Sequence, residues 1–255
     1  MSKPISPLWR QMPADIDERL RQIVHSAPPC KVFFRADDIG VPGSMFSRLL
    51  GIFAAHNAPL ALAVVPTWLT FPRWEAIQRE AAPNARLWCW HQHGWRHRNH
   101  EREGKKQEFG PNRALTAIIS DVTRGQQRLR TIMGKAFQPI FTPPWNRCDD
   151  RTLSVLADNG FAAVSRFVTK QPPGRLPLPD IPVSVDLHTR KCRNSKEDWR
   201  ALFSELADGL ARPVCGIMIH HQRMNDAAFV FLEILLKRLS ARGSLVSLEC
   251  LLESA

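Results

Sequence analysis

From about residue 31 onward, short apolar runs alternate with stretches of helical period, and no other feature of this chain restricts its fold as much. The apolar runs are VFFRADDIG (Val32–Gly40), Leu60–Val65, Arg86–Trp90, Pro139–Thr142, Ala162–Ser165, Val183–Asp186, Val214–Ile219 and Leu245–Leu248. Leu60–Val65 is continuously apolar, as a parallel strand covered on both faces requires. Between the runs, apolar spacing predicts helices over Asp15–His25, Ser44–His56, Pro72–Ala82, Ala114–Met133, Ser154–Asn159, Lys196–Leu210 and Ala227–Arg242, with Gly160 as a C-cap. Seven or eight βα units in succession predict an α/β fold, a single-domain distorted (β/α) barrel of parallel strands rather than an open doubly wound sheet. The domain is expected to occupy residues 1–255, with 1–30 as a helical extension packed on it. The proline-rich stretch Val168–Pro182 reads as a surface excursion or a hairpin.

Composition narrows the function classes. The longest apolar run, around Ala58–Val65, is far below the roughly 20 residues that cross a bilayer, so no membrane partner is expected. The opening MSKPISPLWRQMPADIDERL lacks the apolar core of an export signal and predicts a cytoplasmic protein. Six scattered cysteines with no CxxC pair suit reduced thiols in the core better than a disulfide framework or a zinc ribbon. A net charge of +11 suits an anionic partner. The arginines are spread along the chain without a helix-turn-helix or an RNA-binding signature, which argues against nucleic acid and leaves an anionic substrate as a reason for the charge.

In (β/α) barrels the functional groups collect at the C-terminal ends of strands. Five strand ends here carry reactive or rigid residues: Asp37–Asp38, the cluster HQHGWRHRNH, PPWN, Asp186 with His188, and His220–His221. Two adjacent carboxylates repel when both ionise in a dry pocket, so a cation or a shared proton is expected at Asp37 and Asp38, and a metal site is the first expectation. His93 and His97 are four apart and on a helical turn would share one face, gripping one ion with Asp38 as third ligand. His91 paired with His93 across a strand, and His100, are alternative ligands. A two-histidine, one-carboxylate set leaves positions open for water and substrate, as metal-assisted hydrolysis needs.

These motifs resemble the polysaccharide deacetylases with a NodB-homology domain, which are metal-dependent carbohydrate esterases. RADDIG is similar to the family's TFDDG, which implies Asp37 as the catalytic base and Asp38 as a metal ligand. HGWRH resembles the paired-histidine motif and implies His93 and His97 as ligands. GIMIHH resembles the strand ending in Leu-x-His and implies His220 as general acid, with His221 the near alternative. SLVSLECLL is similar to the run that closes the domain, so the resemblance extends from about Lys31 to the end. It implies a distorted barrel, an acetylated amino sugar or small acylated substrate, and a divalent ion, zinc first with cobalt or manganese as alternatives.

The sequence departs from the family pattern at several points. Ile39 stands where the first-motif glycine would be, and Gly94 replaces the hydroxyl residue that braces the histidine loop. FTPPWN offers Phe141 where the family has the arginine that orients its base, so Arg35 or Arg147 is expected to take that role. The Asp-Trp motif has no clear match, and Asp186 is the candidate to orient the acid. Pro144, Trp145 and Asn146 are expected to shape the substrate side, with a backbone N–H near Trp145 facing the oxyanion. Trp90, Trp95 and Trp145 could line a sugar-binding face or pack in the core.

Overall fold

The computed structural model describes residues 5–168, 176–190 and 194–252. Seven strands form one sheet: β1 (Lys31–Ile39), β2 (Leu60–Val64), β3 (Trp88–His93), β4 (Phe137–Thr142), β5 (Ala163–Val164), β6 (Val185–Asp186) and β7 (Val214–Ile219). Their spatial order is β5-β4-β3-β2-β1-β7-β6, and every neighbouring pair is parallel. The helices are α1 (Ile16–Ser26), α2 (Ser44–Ala55), α3 (Phe71–Ala81), α4 (Leu115–Met133), α5 (Asp150–Asp158), α6 (Ser195–Leu210), α7 (Asp226–Ala241) and α8 (Leu248–Leu252). The expected α/β architecture of seven parallel strands in a distorted barrel is what forms.

The stretch around Pro182 differs from expectation. Residues 169–175 of the expected excursion lie outside the described residues. The part after them is only partly on the surface, with Pro177 and Pro179 exposed. Leu178 and Ile181 are buried, Asp180 bridges Val164, and Val183 bridges Phe167, both in parallel. The same segment continues into β6 beside β7, so it links the two edges of the curled sheet. Prolines 179 and 182 lack an N–H, and their places in the ladder are filled by the N–H groups of Ile181 and Val183, which donate to Val164 and Arg166. The eighth run, near Leu245, contributes a single bridge to Val32 before α8 begins.

Side-chain alternation along the strands places one set of residues inside the barrel. At the N-terminal end this set is apolar: Phe33, Ala61, Cys89, Ile140, Ala163 and Val183 form a cluster with Leu248 and Leu251 of α8. A Cβ at Gly216 would come within 2.5 Å of the Phe33 ring, so the glycine makes room for it. Two residues further along, the inside positions turn polar: Arg35, His91, Thr142 and Ser165, all fully buried. Another step reaches Asp37 and His93, both at the C-terminal mouth. The larger apolar cluster lies between sheet and helices.

β3 begins two residues later than the expected Arg86–Trp90 run, because 82–87 form a 3-10 turn, and it carries His91 and His93 within the strand. α5 begins earlier than expected, since Asp149 caps it by accepting the Thr152 N–H. Within the described part of the N-terminal segment, Trp9 lies edge-on to Trp199 and Phe231, and Asp17 of α1 pairs with Arg238. Cys89 and Cys215 are buried as expected, Cys30 and Cys148 are partly buried, Cys250 is exposed, and Cys192 lies outside the described residues. No described helix is long and apolar enough to cross a membrane.

Candidate metal centre and active site

Asp38, His93 and His97 converge at the mouth of the barrel, each offering a donor atom within 4.8 Å of the others. Asp38 Oδ1 lies 3.0 Å from His97 Nε2 and 3.4 Å from His93 Nε2. His93 Nδ1 donates to the Thr142 carbonyl at 2.9 Å, which leaves Nε2 as the free donor atom facing Asp38. The histidines do not share a helical turn. His93 ends β3, Gly94 and His97 follow with φ of 59° and 55°, and this left-handed turn brings the second imidazole back over the first. His91 lies one step deeper, bonded to Thr142 Oγ1, with burial pushing its pKa down to about 3. His100 lies outside the set, in another cavity.

Burial opposes a charged Asp38, but its contacts with His93 and His97 hold its carboxyl well below the ordinary range. Burial likewise opposes a charged His93, and Asp38 and Asp37 beside it raise its pKa. A buried carboxylate against two imidazole nitrogens therefore calls for positive charge. One carboxylate oxygen and two imidazole nitrogens at this spacing fit a divalent ion of the zinc or cobalt type.

Asp37 is separated from that set by its own partner. Arg35, on the same face of β1, forks onto it, with Nε 2.8 Å from Oδ1 and one terminal nitrogen 2.9 Å from Oδ2. The guanidinium is fully buried and anchored by the Ser165 carbonyl and hydroxyl at 2.9 and 2.8 Å and by Asn146 Oδ1 at 2.5 Å. Burial works to raise the Asp37 pKa, yet Arg35, aided by His93 and His220, keeps it lowered. An arginine two residues before the carboxylate thus supplies the positive charge that Phe141, on β4, does not carry. Arg147 points elsewhere: it reaches the Lys106 carbonyl and lines the cavity.

The histidine loop is braced by a residue that no sequence signal marked. Glu108, fully buried, accepts the backbone N–H groups of Trp95, Arg96 and Arg98 at 3.1, 2.7 and 3.4 Å. A Cβ at Gly94 would fall 2.1 Å from Glu108 Oε2 and 2.5 Å from Pro144 Cγ. The absent hydroxyl at 94 and the present carboxylate at 108 are therefore one exchange. Restoring the hydroxyl by Gly94→Ser is expected to destabilise the protein by about 1–3 kcal/mol, through overpacking and a left-handed backbone. A Tm unchanged or raised in thermal unfolding would contradict this.

A cavity of about 570 Å³ opens over the site and is lined by Asp37, Asp38, His93, His97, Trp145, Asn146, Asp186 and His220, among others. Arg35 lies beneath it. Pro144 and His221 are not lining residues: Pro144 is buried against Gly94, and His221 is buried with its ring 5.5 Å from Phe46. The Trp145 ring lies 4.5 Å from that of His97. Asp186 caps the turn after β6, accepting from the His188 and Thr189 N–H groups, while His188 Nδ1 accepts the His220 N–H at 3.1 Å. His188 thus links Asp186 to the His220 backbone through its own N–H and its ring. Of the five non-glycine residues with positive φ among the described residues, Asp38, His97, Trp145 and Asn146 are at this site. Such conformations cost about 1–3 kcal/mol each and concentrate where geometry serves function.

No curated protein sequence matches the chain. In structure it is similar to a Mycobacterium smegmatis protein assigned to the polysaccharide deacetylases, at 18% identity and TM-score 0.64 over 100% of this chain and 94% of that one. It is similar to a family 4 acetyl xylan esterase from Clostridium thermocellum in complex with a cobalt ion, at 15% identity and TM-score 0.59 over 88% and 91%. It is also similar to a family 4 pseudoenzyme from Bacillus anthracis, at 14% identity and TM-score 0.51 over 88% and 66%. At these identities the likeness is one of fold. The sequence profile described as polysaccharide deacetylase matches residues 27–164, which run from the end of α1 through β5 and include Asp37, Asp38, His93 and His97. The chain belongs to the polysaccharide deacetylase family.

Proposed function

We propose that this protein is a metal-dependent hydrolase that removes an acyl group, acetyl in the simplest case, from the nitrogen of an amino sugar or related amide. The observation that carries the reading is the division of labour between adjacent carboxylates: Asp38 faces two imidazoles, while Asp37 is gripped by Arg35, and both open on one cavity. Asp38, His93 and His97 would hold the ion, zinc first, with cobalt or manganese as alternatives. Once bound, a divalent ion at such a site supplies Lewis acidity that polarises a carbonyl and makes water a nucleophile near neutral pH.

The chain's own groups account for the proton movements. Asp37, kept ionised by Arg35, takes the proton from the attacking water. His220 lines the same cavity and delivers a proton to the departing amine. Trp145 has a left-handed backbone and lines the cavity, and a backbone N–H near it would face the developing oxyanion. Asn146 acts through Arg35 rather than on the substrate.

The experiment is a substrate panel with the metal-loaded protein, following acetate release from N-acetylated amino sugars and O-acetyl esters and phosphate release from phosphate monoesters. Amide cleavage is expected; ester or phosphate cleavage alone would refute the N-acyl assignment, and tight glycan binding without any turnover would refute catalysis. His220→Ala should lower kcat by about 10²- to 10³-fold with metal content unchanged. His221→Ala should act mainly on stability, because its ring packs against Phe46. The reverse ranking would make His221 the acid.

A further inference from the structure

Lys106, Arg147 and Arg223 line the cavity from three separate segments: the loop after β3, the turn after β4 and the 3-10 turn after β7. None of them pairs with an acid among the described residues, whereas Arg35, Arg113, Arg166 and Arg190 each do. The cavity's own acids are already engaged: Asp37 by Arg35, Asp38 by the two histidines, and Asp186 by the turn it caps. Arg147 is half-buried and donates to the Lys106 carbonyl at 3.4 Å, which ties two of the cations together. Arg223 is half-buried too, its Nε hidden from solvent without a hydrogen-bond partner, and its N–H donates to the carbonyl of His220 at 2.9 Å.

A hidden guanidinium nitrogen without an acceptor, as at Arg223 Nε, is costly, and a bound anion relieves that cost. Since Arg35 already orients Asp37, Arg147 has no task within the catalytic set. A divalent ion at Asp38 would add further positive charge to the cavity. We propose that the substrate carries an anionic group, carboxylate or phosphate, seated among Lys106, Arg147 and Arg223 while its acylated nitrogen faces His220. This rests on the reading of the site as an N-deacylase and specifies its substrate class. A neutral sugar would leave all three cations without an acceptor of matching charge.

The test compares N-acetylglucosamine with N-acetylglucosamine 1-phosphate, N-acetylglucosamine 6-phosphate and N-acetylmuramic acid, using metal-loaded protein at low salt. At least one anionic compound should exceed the neutral one in kcat/KM by about tenfold or more, as one charge-assisted hydrogen bond supplies. The preference should reside in KM, weaken with added salt and fall to about one in Arg147→Gln/Arg223→Gln. The double lysine variant should restore part of it, which a purely structural role would not allow. The phosphate and carboxylate arms identify which anion is used. Equal turnover of neutral and anionic compounds, or a preference indifferent to both arginines, overturns the anion site and leaves the deacylase reading standing. If none of them is turned over, calorimetric binding of the same compounds decides. Anion-selective, arginine-dependent binding keeps the anion site and overturns the deacylase reading, and unselective or absent binding overturns the anion site.

Discussion

Arg35→Met is expected to destabilise the protein by about 3–5 kcal/mol and to remove nearly all turnover. Asp37 is only 2% exposed, and Arg35 is the cation bonded to both of its oxygens. Without the guanidinium, burial is left as the dominant influence and pushes the Asp37 pKa up. The sign of the pH dependence follows. In the native protein the lowered Asp37 pKa contributes stability that is present above its unfolded value and lost as pH falls through the folded one. In the variant the folded pKa is raised, so the penalty sets in as pH rises through the unfolded value of about 4 and grows until the folded value is passed; it is absent well below pH ~4, where the carboxyl is protonated in both states. Urea unfolding at neutral and acid pH should therefore show a gap between the two proteins that narrows on acidification. A gap independent of pH would mean that Arg35 acts by packing alone. Arg35→Met/Asp37→Leu should recover most of the stability and none of the activity, since removing both partners leaves no orphaned charge.

Asp37→Asn should lower kcat by about 10³-fold, within the range that a positioned general base contributes, while keeping the metal. The amide preserves the shape and one acceptor for Arg35 but cannot take a proton. His93→Ala should instead lose the metal, because its Nε2 faces Asp38 and its Nδ1 is already committed to Thr142. Elemental analysis beside steady-state kinetics separates the two variants. Metal retained by His93→Ala and lost by Asp37→Asn would reverse the roles of the two strand ends.

The barrel was readable from local sequence, and the convergence of Asp38, His93 and His97 followed from their places at or just beyond strand ends. Apolar periodicity marks the strands, and charge at a strand end marks the mouth. Long-range substitutions were not readable. Glu108 stands in a polar loop that resembles any solvated turn, and only folding brings its carboxylate under Gly94. Ser165 and Asn146 anchor Arg35 across 130 and 111 residues of sequence. The helical turn expected for His93 and His97 gave way to a strand end followed by a left-handed loop, since β3 runs on through His93 in register with β4. The linking of the sheet edges near Pro182 was hidden because prolines suggest an exit from a sheet, and here they flank the N–H groups that enter it.

The most direct measurement is acetate release from an N-acetylated amino sugar by protein stripped with chelator and then titrated with zinc. Activity is expected to vanish on stripping and to return linearly to a plateau at one ion per chain, bound by Asp38, His93 and His97. Undiminished acetate release by the metal-free protein would contradict it.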